Sequence, residues 1–138
     1  MIGILIVTHG TLGEALIQTA IHVLNKRPAR LKQLGVTAQD DPLLLLPQAR
    51  ALVKDVDGGD GVLILTDMFG GSPSNLCAKL VQPGKIEAIA GVSLPMLIRA
   101  ITYREKSLET MVTKAISGGC EGVVRVPGFT LHHAATGS

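Results

Sequence analysis

Aromatic residues are nearly absent from this chain, which has one tyrosine, two phenylalanines and no tryptophan among its 138 residues. Aliphatic side chains must therefore fill the core, and with 46% apolar residues there are enough of them. Binding of nucleic-acid bases by aromatic stacking is disfavoured. Neither charge dominates, because 13 basic residues face 11 acidic ones. The basic residues are scattered, so the sequence predicts no nucleic-acid surface.

Long apolar runs and paired cysteines are lacking as well. No run reaches the ~18 residues that span a bilayer, and the first ten residues lack the basic region of a secretory signal. Cys77 and Cys120 lie far apart without metal-ligand spacing, which predicts free thiols in a reducing compartment. We therefore expect one cytoplasmic domain of ordinary size.

What the chain does contain is a regular alternation of strand and helix signals. Strands are predicted at 2–7, 31–36, 61–66, 86–92 and 121–126. Helices are predicted at 11–25, 42–56, 72–82 and 94–116, the last with a break near Glu105. Thr11 and Glu14 have the spacing of a capping box, and Ser72-Pro73 is typical of an N-cap followed by proline.

This alternation predicts an α/β fold, a single three-layer sandwich with a mainly parallel sheet and helices on both faces. Residues 1–126 are assigned to this domain and residues 127–138 to a C-terminal tail. Ligands of such sheets bind beyond the carboxyl ends of the strands, where the strand order reverses. The sequence places most of its polar candidates at those ends.

His9 follows the first strand and Asp67 follows the third, so we expect them to meet if these strands are neighbours. A carboxylate that accepts the Nδ1–H of an imidazole fixes its tautomer and leaves a lone pair on Nε2. This arrangement suits a histidine nucleophile.

The segment GGSPSN (70–75) supplies the second half of the predicted site. Two glycines let the backbone approach a ligand, and the helix that follows directs N–H groups and the positive end of its dipole to the same place. The backbone N–H groups predicted to donate are those of Gly71, Ser72, Ser74 and Asn75. A phosphoryl group is the anion that we expect there.

Simpler explanations exist for each of these residues alone. A histidine or an aspartate after a strand is often a turn residue, and GGSP alone is a weak phosphate signal. His22 is predicted to be solvated, and His132 and His133 fall in the tail. A receiver-type domain also carries an aspartate after its third strand, but it needs acidic residues after the first strand to hold Mg²⁺. Thr8-His9 stands there instead, which favours Asp67 as the partner of the histidine.

Three segments resemble blocks of a known family: IVTHGTLGEAL (6–16), GVLILTDMFGGSPSN (61–75) and AGVSLPMLIRA (90–100). They are similar in order and spacing to the IIA component of the mannose-type (mannose, fructose, sorbose) sugar phosphotransferase system, over residues 1–126. The resemblance implies an α/β sandwich and a homodimer whose last strand, antiparallel and here 121–126, is often exchanged between subunits.

The resemblance also implies roles for individual residues. His9 would accept a phosphoryl group from the phosphocarrier protein HPr and pass it to a IIB component, while Asp67 orients the imidazole. The implied phosphoryl-binding residues are Gly10, Gly70, Gly71, Ser72, Ser74 and Asn75. The implied rim of the site comprises Thr8, Met68, Phe69, Ser93 and Pro95. Neither a metal ion nor an organic cofactor is expected, and the membrane is reached only through transporter partners.

Departures from the family pattern leave the partner open. Met68-Phe69 replaces a pair that often contains tryptophan, and Ser93 stands where asparagine is common. We expect no fused IIB domain, and therefore a separate IIB component or a regulator as partner. One alternative is a regulatory protein that reports phosphorylation state without its own transporter. Another is the phosphotransferase subunit of dihydroxyacetone kinase, although GGSP and GVSLPML favour the mannose type.

Overall fold

Four parallel strands form the central sheet of the computed structural model, which describes residues 1–129. The strands are β1 (Gly3–His9), β2 (Leu31–Val36), β3 (Val62–Thr66) and β4 (Ile86–Ala90), in the order β2-β1-β3-β4. The helices are α1 (Leu12–Leu24), α2 (Pro42–Val56), α3 (Ser72–Ala78), α4 (Leu94–Thr102) and α5 (Leu108–Glu121). The predicted α/β class and parallel sheet are confirmed. Among these helices none has both the length and the apolar character that a bilayer crossing requires.

Strand β1 lies inside the sheet, paired with β2 on one side and β3 on the other. Helices cover both faces, which explains why its sequence is a continuous apolar run rather than an alternating one. On one face, Ile4 and Ile6 pack in a core with residues of α1, α4 and α5. On the other face, Leu5 and Val7 pack with residues of α2 and α3.

The order of the strands reverses beside β1. The chain passes from β1 to β2 on one side and then returns to β3 on the other side of β1. The carboxyl ends of β1 and β3 therefore flank the place where open α/β sheets bind ligands. Val7 pairs with Thr66 in the register of these two strands, so the next residues of both strands leave the sheet together.

The predicted strand at 121–126 is wrong for the single chain. Helix α5 continues to Glu121, and residues 123–129 form no helix or strand. Helix α5 continues beyond its predicted end because it packs closely on α4. A Cβ at Gly118 would lie 2.6 Å from Arg99 Cβ, and Arg99 donates to the Glu121 carboxylate at 3.0 Å.

Strand β4 pairs with β3 and with no further strand among residues 1–129, so its outer edge is open. Residues 127–129, from the predicted tail, are exposed. His132 and His133 lie outside the described residues.

Four local predictions also need correction. The capping box does not form, because the Thr11 side chain makes no capping bond; Thr8 Oγ1 accepts the N–H of Gly13 at 2.9 Å instead. Gly71 rather than Ser72 is the N-cap of α3. That helix ends at Ala78, and β4 ends at Ala90, each earlier than predicted. The predicted break before α5 is confirmed.

A buried arginine fastens the opposite, amino edge of the sheet. Arg104 is 4% exposed and donates from Nε and Nη2 to the Ile2 carbonyl at 3.0 and 2.8 Å. It also donates to the carbonyls of Ala29 and Arg30 at 2.6 and 3.0 Å. These bonds offset the cost of burying the guanidinium and tie the start of β1 to the connection before β2.

Candidate functional site

His9 and Asp67 are in direct contact at the carboxyl edge of the sheet. His9 Nδ1 lies 2.8 Å from Asp67 Oδ2, and the backbone N–H of His9 donates to the same oxygen at 3.1 Å. The imidazole is 50% exposed while the carboxylate is only 14% exposed. When Nδ1 donates to the carboxylate, the neutral ring keeps its lone pair on Nε2. Nε2 is then free to act as a nucleophile, while the carboxylate holds the ring at Nδ1.

The fold explains why these two residues meet. His9 ends β1, Asp67 follows the last residue of β3, and the two strands are neighbours. Successive residues of a strand point to opposite faces, and Thr8 is fully buried beside His9. The bond from Gly13 to the Thr8 hydroxyl anchors the strand end to the first turn of α1. Gly10, with φ at +55°, then turns the chain out of the strand, a conformation that favours glycine.

Asp67 is held as an anion. Burial alone would raise the pKa of its carboxyl group, but the hydrogen bonds from the His9 backbone and ring outweigh burial, so the pKa lies below its ordinary value. The other oxygen, Oδ1, is buried and has no hydrogen-bond partner in residues 1–129. The carboxylate therefore directs its bonding to His9 alone within that part of the chain.

The glycine-rich loop lies against the imidazole. A Cβ on Gly71 would lie 3.1 Å from His9 Cε1 and 3.4 Å from Nε2. The absence of a side chain at Gly71 leaves room beside His9 Nε2. Gly70 has φ at +90°, and its N–H donates to Ser74 Oγ at 3.3 Å. The Ser74 side chain thereby stabilises the glycine-rich loop that precedes it.

Three of the four predicted backbone donors remain available. Within residues 1–129 the N–H groups of Gly71, Ser72 and Ser74 have no protein acceptor. The prediction for the Asn75 N–H is wrong, because it donates to the Gly71 carbonyl at 2.9 Å as part of the helix. An anion beside His9 would therefore meet N–H groups from the start of α3 but not that of Asn75.

The predicted rim residues differ in how exposed they are. Met68 and Phe69 follow Asp67 and are 59% and 87% exposed. Thr8 is fully buried, so its prediction as a rim residue is wrong. Its hydroxyl instead accepts the Gly13 N–H and so links the end of β1 to α1. Ser93 caps α4 by accepting the Met96 N–H at 3.3 Å. Pro95 packs near Gly122, where a Cβ would lie 2.7 Å from Pro95 Cβ.

The chain is similar to known proteins over almost its whole length. The family described as "PTS system fructose IIA component", where PTS is the sugar phosphotransferase system, matches residues 3–116. The chain is 31% identical over 137 residues to the "PTS system mannose-specific EIIAB component" of Escherichia coli strain K12. That alignment covers 97% of this chain and 42% of the relative, so the chain spans less than half the length of that protein.

Solved structures agree in fold. Phosphotransferase system component EIIA from Streptococcus agalactiae superposes with a TM-score of 0.80 at 25% identity, covering 91% of this chain and 97% of that one. A mannose/sorbose-specific IIA subunit from Enterococcus faecalis gives a TM-score of 0.80 at 20% identity, covering 94% and 98%. With the family match over residues 3–116, this chain belongs to the fructose- and mannose-type IIA components of the sugar phosphotransferase system.

Proposed function

We propose that the protein carries a phosphoryl group on His9 Nε2, accepting it from phospho-HPr and passing it to a IIB component. The observation that supports this most is the contact of His9 Nδ1 with Asp67 at 2.8 Å, beside a half-exposed ring. The general role, that of a phosphoryl carrier in a sugar phosphotransferase system, follows from the family to which the chain belongs. The site residues and the order of transfer are our proposal.

In the proposed transfer, the Nε2 lone pair of His9 attacks the phosphorus of the donor phosphohistidine. The donor N–P bond breaks, and its electron pair returns to the donor imidazole. Nδ1 of His9 keeps its proton, so the phosphorylated ring is cationic and the Asp67 carboxylate stabilises that charge. The N–H groups of Gly71, Ser72 and Ser74, which have no protein acceptor within residues 1–129, would stabilise the phosphoryl oxygens. Transfer to the IIB component reverses these steps with the new acceptor.

The experiment that tests this function uses phosphoenolpyruvate, enzyme I and HPr. We expect the intact protein to gain the mass of one acid-labile phosphoryl group and to lose it when a IIB component is added. No gain in mass, under conditions in which HPr itself becomes phosphorylated, would contradict the proposal. Cys77 and Cys120 are both free thiols, which supports a cytoplasmic setting for this exchange.

Replacing Gly71 with alanine tests the close approach of the loop. The backbone φ at Gly71 is −83°, which alanine adopts without strain. The added methyl would crowd His9 Cε1 at 3.1 Å and lie 3.4 Å from Nε2, where the phosphoryl group must approach. We expect phosphorylation by phospho-HPr to slow ~10- to 100-fold, since displaced reacting atoms lose this much, with little change in the melting temperature. Gly128→Ala, where a Cβ meets nothing within 4 Å, is the matched control. An unchanged rate in Gly71→Ala would place the phosphoryl group elsewhere.

We further propose a homodimer in which residues 123–126 of each subunit pair with the open edge of β4 in the other. Val124 and Val126 are 70% and 83% exposed in the single chain, and alternation would put them on one face and Val123 with Arg125 on the other. Because that second face carries a charge, we expect the Val124 face to be buried.

Light scattering at micromolar concentration should then show a dimer, with Val124→Asp shifting it to monomer and Val123→Asp leaving it intact. A monomeric wild-type protein would contradict the exchange. Equal behaviour of the two variants would contradict the assigned face.

A further inference from the structure

Gly35 in β2 lies against the turn that follows His9. In the register of β1 and β2, Thr8 pairs with Gly35. His9 and Val36 form the next pair, so the two strands end side by side. A Cβ on Gly35 would lie 2.2 Å from the Gly10 carbonyl oxygen. Glycine inside a strand often marks a place where another backbone approaches closely, and here that backbone belongs to the residue next to His9.

The turn at Gly10 is tied to β2 by a second contact. The Gly10 N–H donates to the Val36 carbonyl at 2.9 Å, so the peptide groups on both sides of Gly10 lie against β2. From the side of β3, one oxygen of Asp67 accepts both the backbone N–H and the ring nitrogen of His9, at 3.1 and 2.8 Å. Because both bonds go to a single oxygen, a shift of the His9 backbone also changes the contact of the ring.

Strand β2 is the less movable partner in the contact between Gly35 and Gly10. Leu34 and Val36, on either side of Gly35, are 5% and 3% exposed and pack in one core with residues of α2. The turn at Gly10 is exposed, and even a Cβ on Gly10 would meet nothing within 4 Å. A methyl group added at Gly35 would therefore displace the turn rather than the strand.

The backbone conformation of Gly35 does not itself require glycine. Its φ lies outside the left-handed region, so alanine would have no backbone strain there. The cost of a side chain comes from the contact with the Gly10 carbonyl. Real Cβ atoms essentially never come within 3.0 Å of another heavy atom in this way. The two backbones would have to separate by roughly 1 Å, a misplacement that can slow a reaction ~10²-fold.

We infer that Gly35 is a positioning residue for the phosphoryl transfer: because it has no side chain, the Gly10 carbonyl packs against β2, and this contact fixes the His9 imidazole on Asp67. The inference rests on the proposed function, since the position of the ring sets the rate only if His9 is the nucleophile. Gly35 lies outside the glycine-rich loop and acts on the imidazole through the turn at Gly10.

Gly35→Ala adds one methyl group and tests this role. We expect transfer from phospho-HPr to slow ~10²-fold. Phosphorylation by phosphoramidate, a small donor that releases ammonia and needs no protein contact, should slow by a similar factor, because the defect lies in the position of the nucleophile. The ¹⁵N shifts of the His9 ring should change as well, since its bond to Asp67 is altered. A merely structural role would leave the ring shifts of the folded protein unchanged.

Gly3→Ala is the matched control. Gly3 begins β1, and a Cβ there would lie 2.3 Å from the Val56 carbonyl oxygen. The clash is again with a backbone carbonyl and at nearly the same distance, but at the opposite, amino edge of the sheet. We expect the two variants to lower the melting temperature by similar amounts. Gly3→Ala should keep the wild-type rate with both donors and the wild-type ring shifts.

The folded state of both variants is secured by measuring all proteins in trimethylamine N-oxide, an osmolyte that favours the compact state. A Gly35→Ala protein that stays unfolded where Gly3→Ala folds would overturn the inference, because Gly35 would then serve the fold rather than the site. Hydrogen exchange of the wild type provides a test without any variant. The Gly10 N–H should be protected as strongly as that of His9, and an unprotected Gly10 N–H would contradict a turn held on β2.

The remaining outcomes separate this inference from the proposed function. If the wild type takes no phosphoryl group from phospho-HPr, the proposed function is wrong and the inference falls with it. If the wild type is phosphorylated and Gly35→Ala keeps its rate and its ring shifts, the positioning role is wrong while the function stands. If Gly35→Ala is slowed with phospho-HPr alone, β2 acts on donor binding, and the positioning role is again wrong. Equal slowing of Gly3→Ala would trace the effect to lost stability and would also exclude it.

Discussion

Phosphorylation by phospho-HPr is expected to be abolished when His9 is replaced with alanine. In the proposed transfer the imidazole supplies the attacking lone pair. The adjacent Asp67 could not replace it, because its carboxylate is only 14% exposed. The variant should still fold, because the His9 ring is half exposed and contributes little to either core. Intact mass measurement after incubation with phosphoenolpyruvate, enzyme I and HPr checks the first part, and thermal unfolding checks the second.

His22→Ala is the control for this variant. His22 is exposed on α1, and removing it should leave both the phosphorylation rate and the melting temperature unchanged. Acid-labile phosphate retained in His9→Ala would contradict the assignment. A loss of phosphate in His22→Ala would instead move the nucleophile to the surface of α1.

The pairing of His9 with Asp67 could be predicted from the sequence because of where the buried strands end. Residues 2–7 and 61–65 are continuous apolar runs, as strands covered on both faces must be. His9 comes two residues after the first run, and Asp67 comes two residues after the second. Adjacent parallel strands then bring the two polar residues together. The structure adds the distance and shows that one carboxylate oxygen serves both the ring and the backbone of His9.

Local signals failed where tertiary packing decided the outcome. The sequence EGVVRV has the alternation of a strand, yet Glu121 belongs to α5, because Gly118 allows that helix to pack against α4. Thr11 and Glu14 have capping spacing, but the first N–H groups of α1 lie beside Thr8, whose hydroxyl takes the bond. In both places a contact from another element replaced the interaction that the local pattern favours.

Which side chains are exposed or buried could not be predicted from the sequence either. The run of four leucines in α2 resembles core, but this helix buries only a narrow face, and Leu43 and Leu44 lie outside it. The role of Arg104 was hidden for the opposite reason: a charged residue suggests surface, whereas its guanidinium is buried among the carbonyls of Ile2, Ala29 and Arg30. Only the packing of the helices shows which side chains are covered.

The second large effect is expected from Asp67→Asn. The amide is close in shape to the carboxylate, but it has no charge to stabilise the cationic ring, and its NH₂ group can donate to Nδ1. That bond would favour the tautomer with the proton on Nε2, which removes the attacking lone pair. We expect transfer from phospho-HPr to slow by roughly 10³- to 10⁴-fold, as when the orienting carboxylate of a catalytic triad is replaced. Some phosphohistidine should still form at long times, because the nucleophile remains.

Two measurements separate an orienting role from a merely structural one. The ¹⁵N shifts of the His9 ring report which nitrogen carries the proton, and they should change in Asp67→Asn but not in Asp55→Asn, a control that removes a carboxylate paired with Lys32 at 2.8 Å. In the wild type, the lowered pKa of Asp67 means that its carboxylate stays charged through neutral and mildly acidic pH. Its contribution to folding is then fully present above the ordinary value of 3.8 and is lost only as the pH falls through the folded pKa. An Asp67→Asn protein with wild-type transfer rate and unchanged ring shifts would show that the 2.8 Å contact has no part in the transfer.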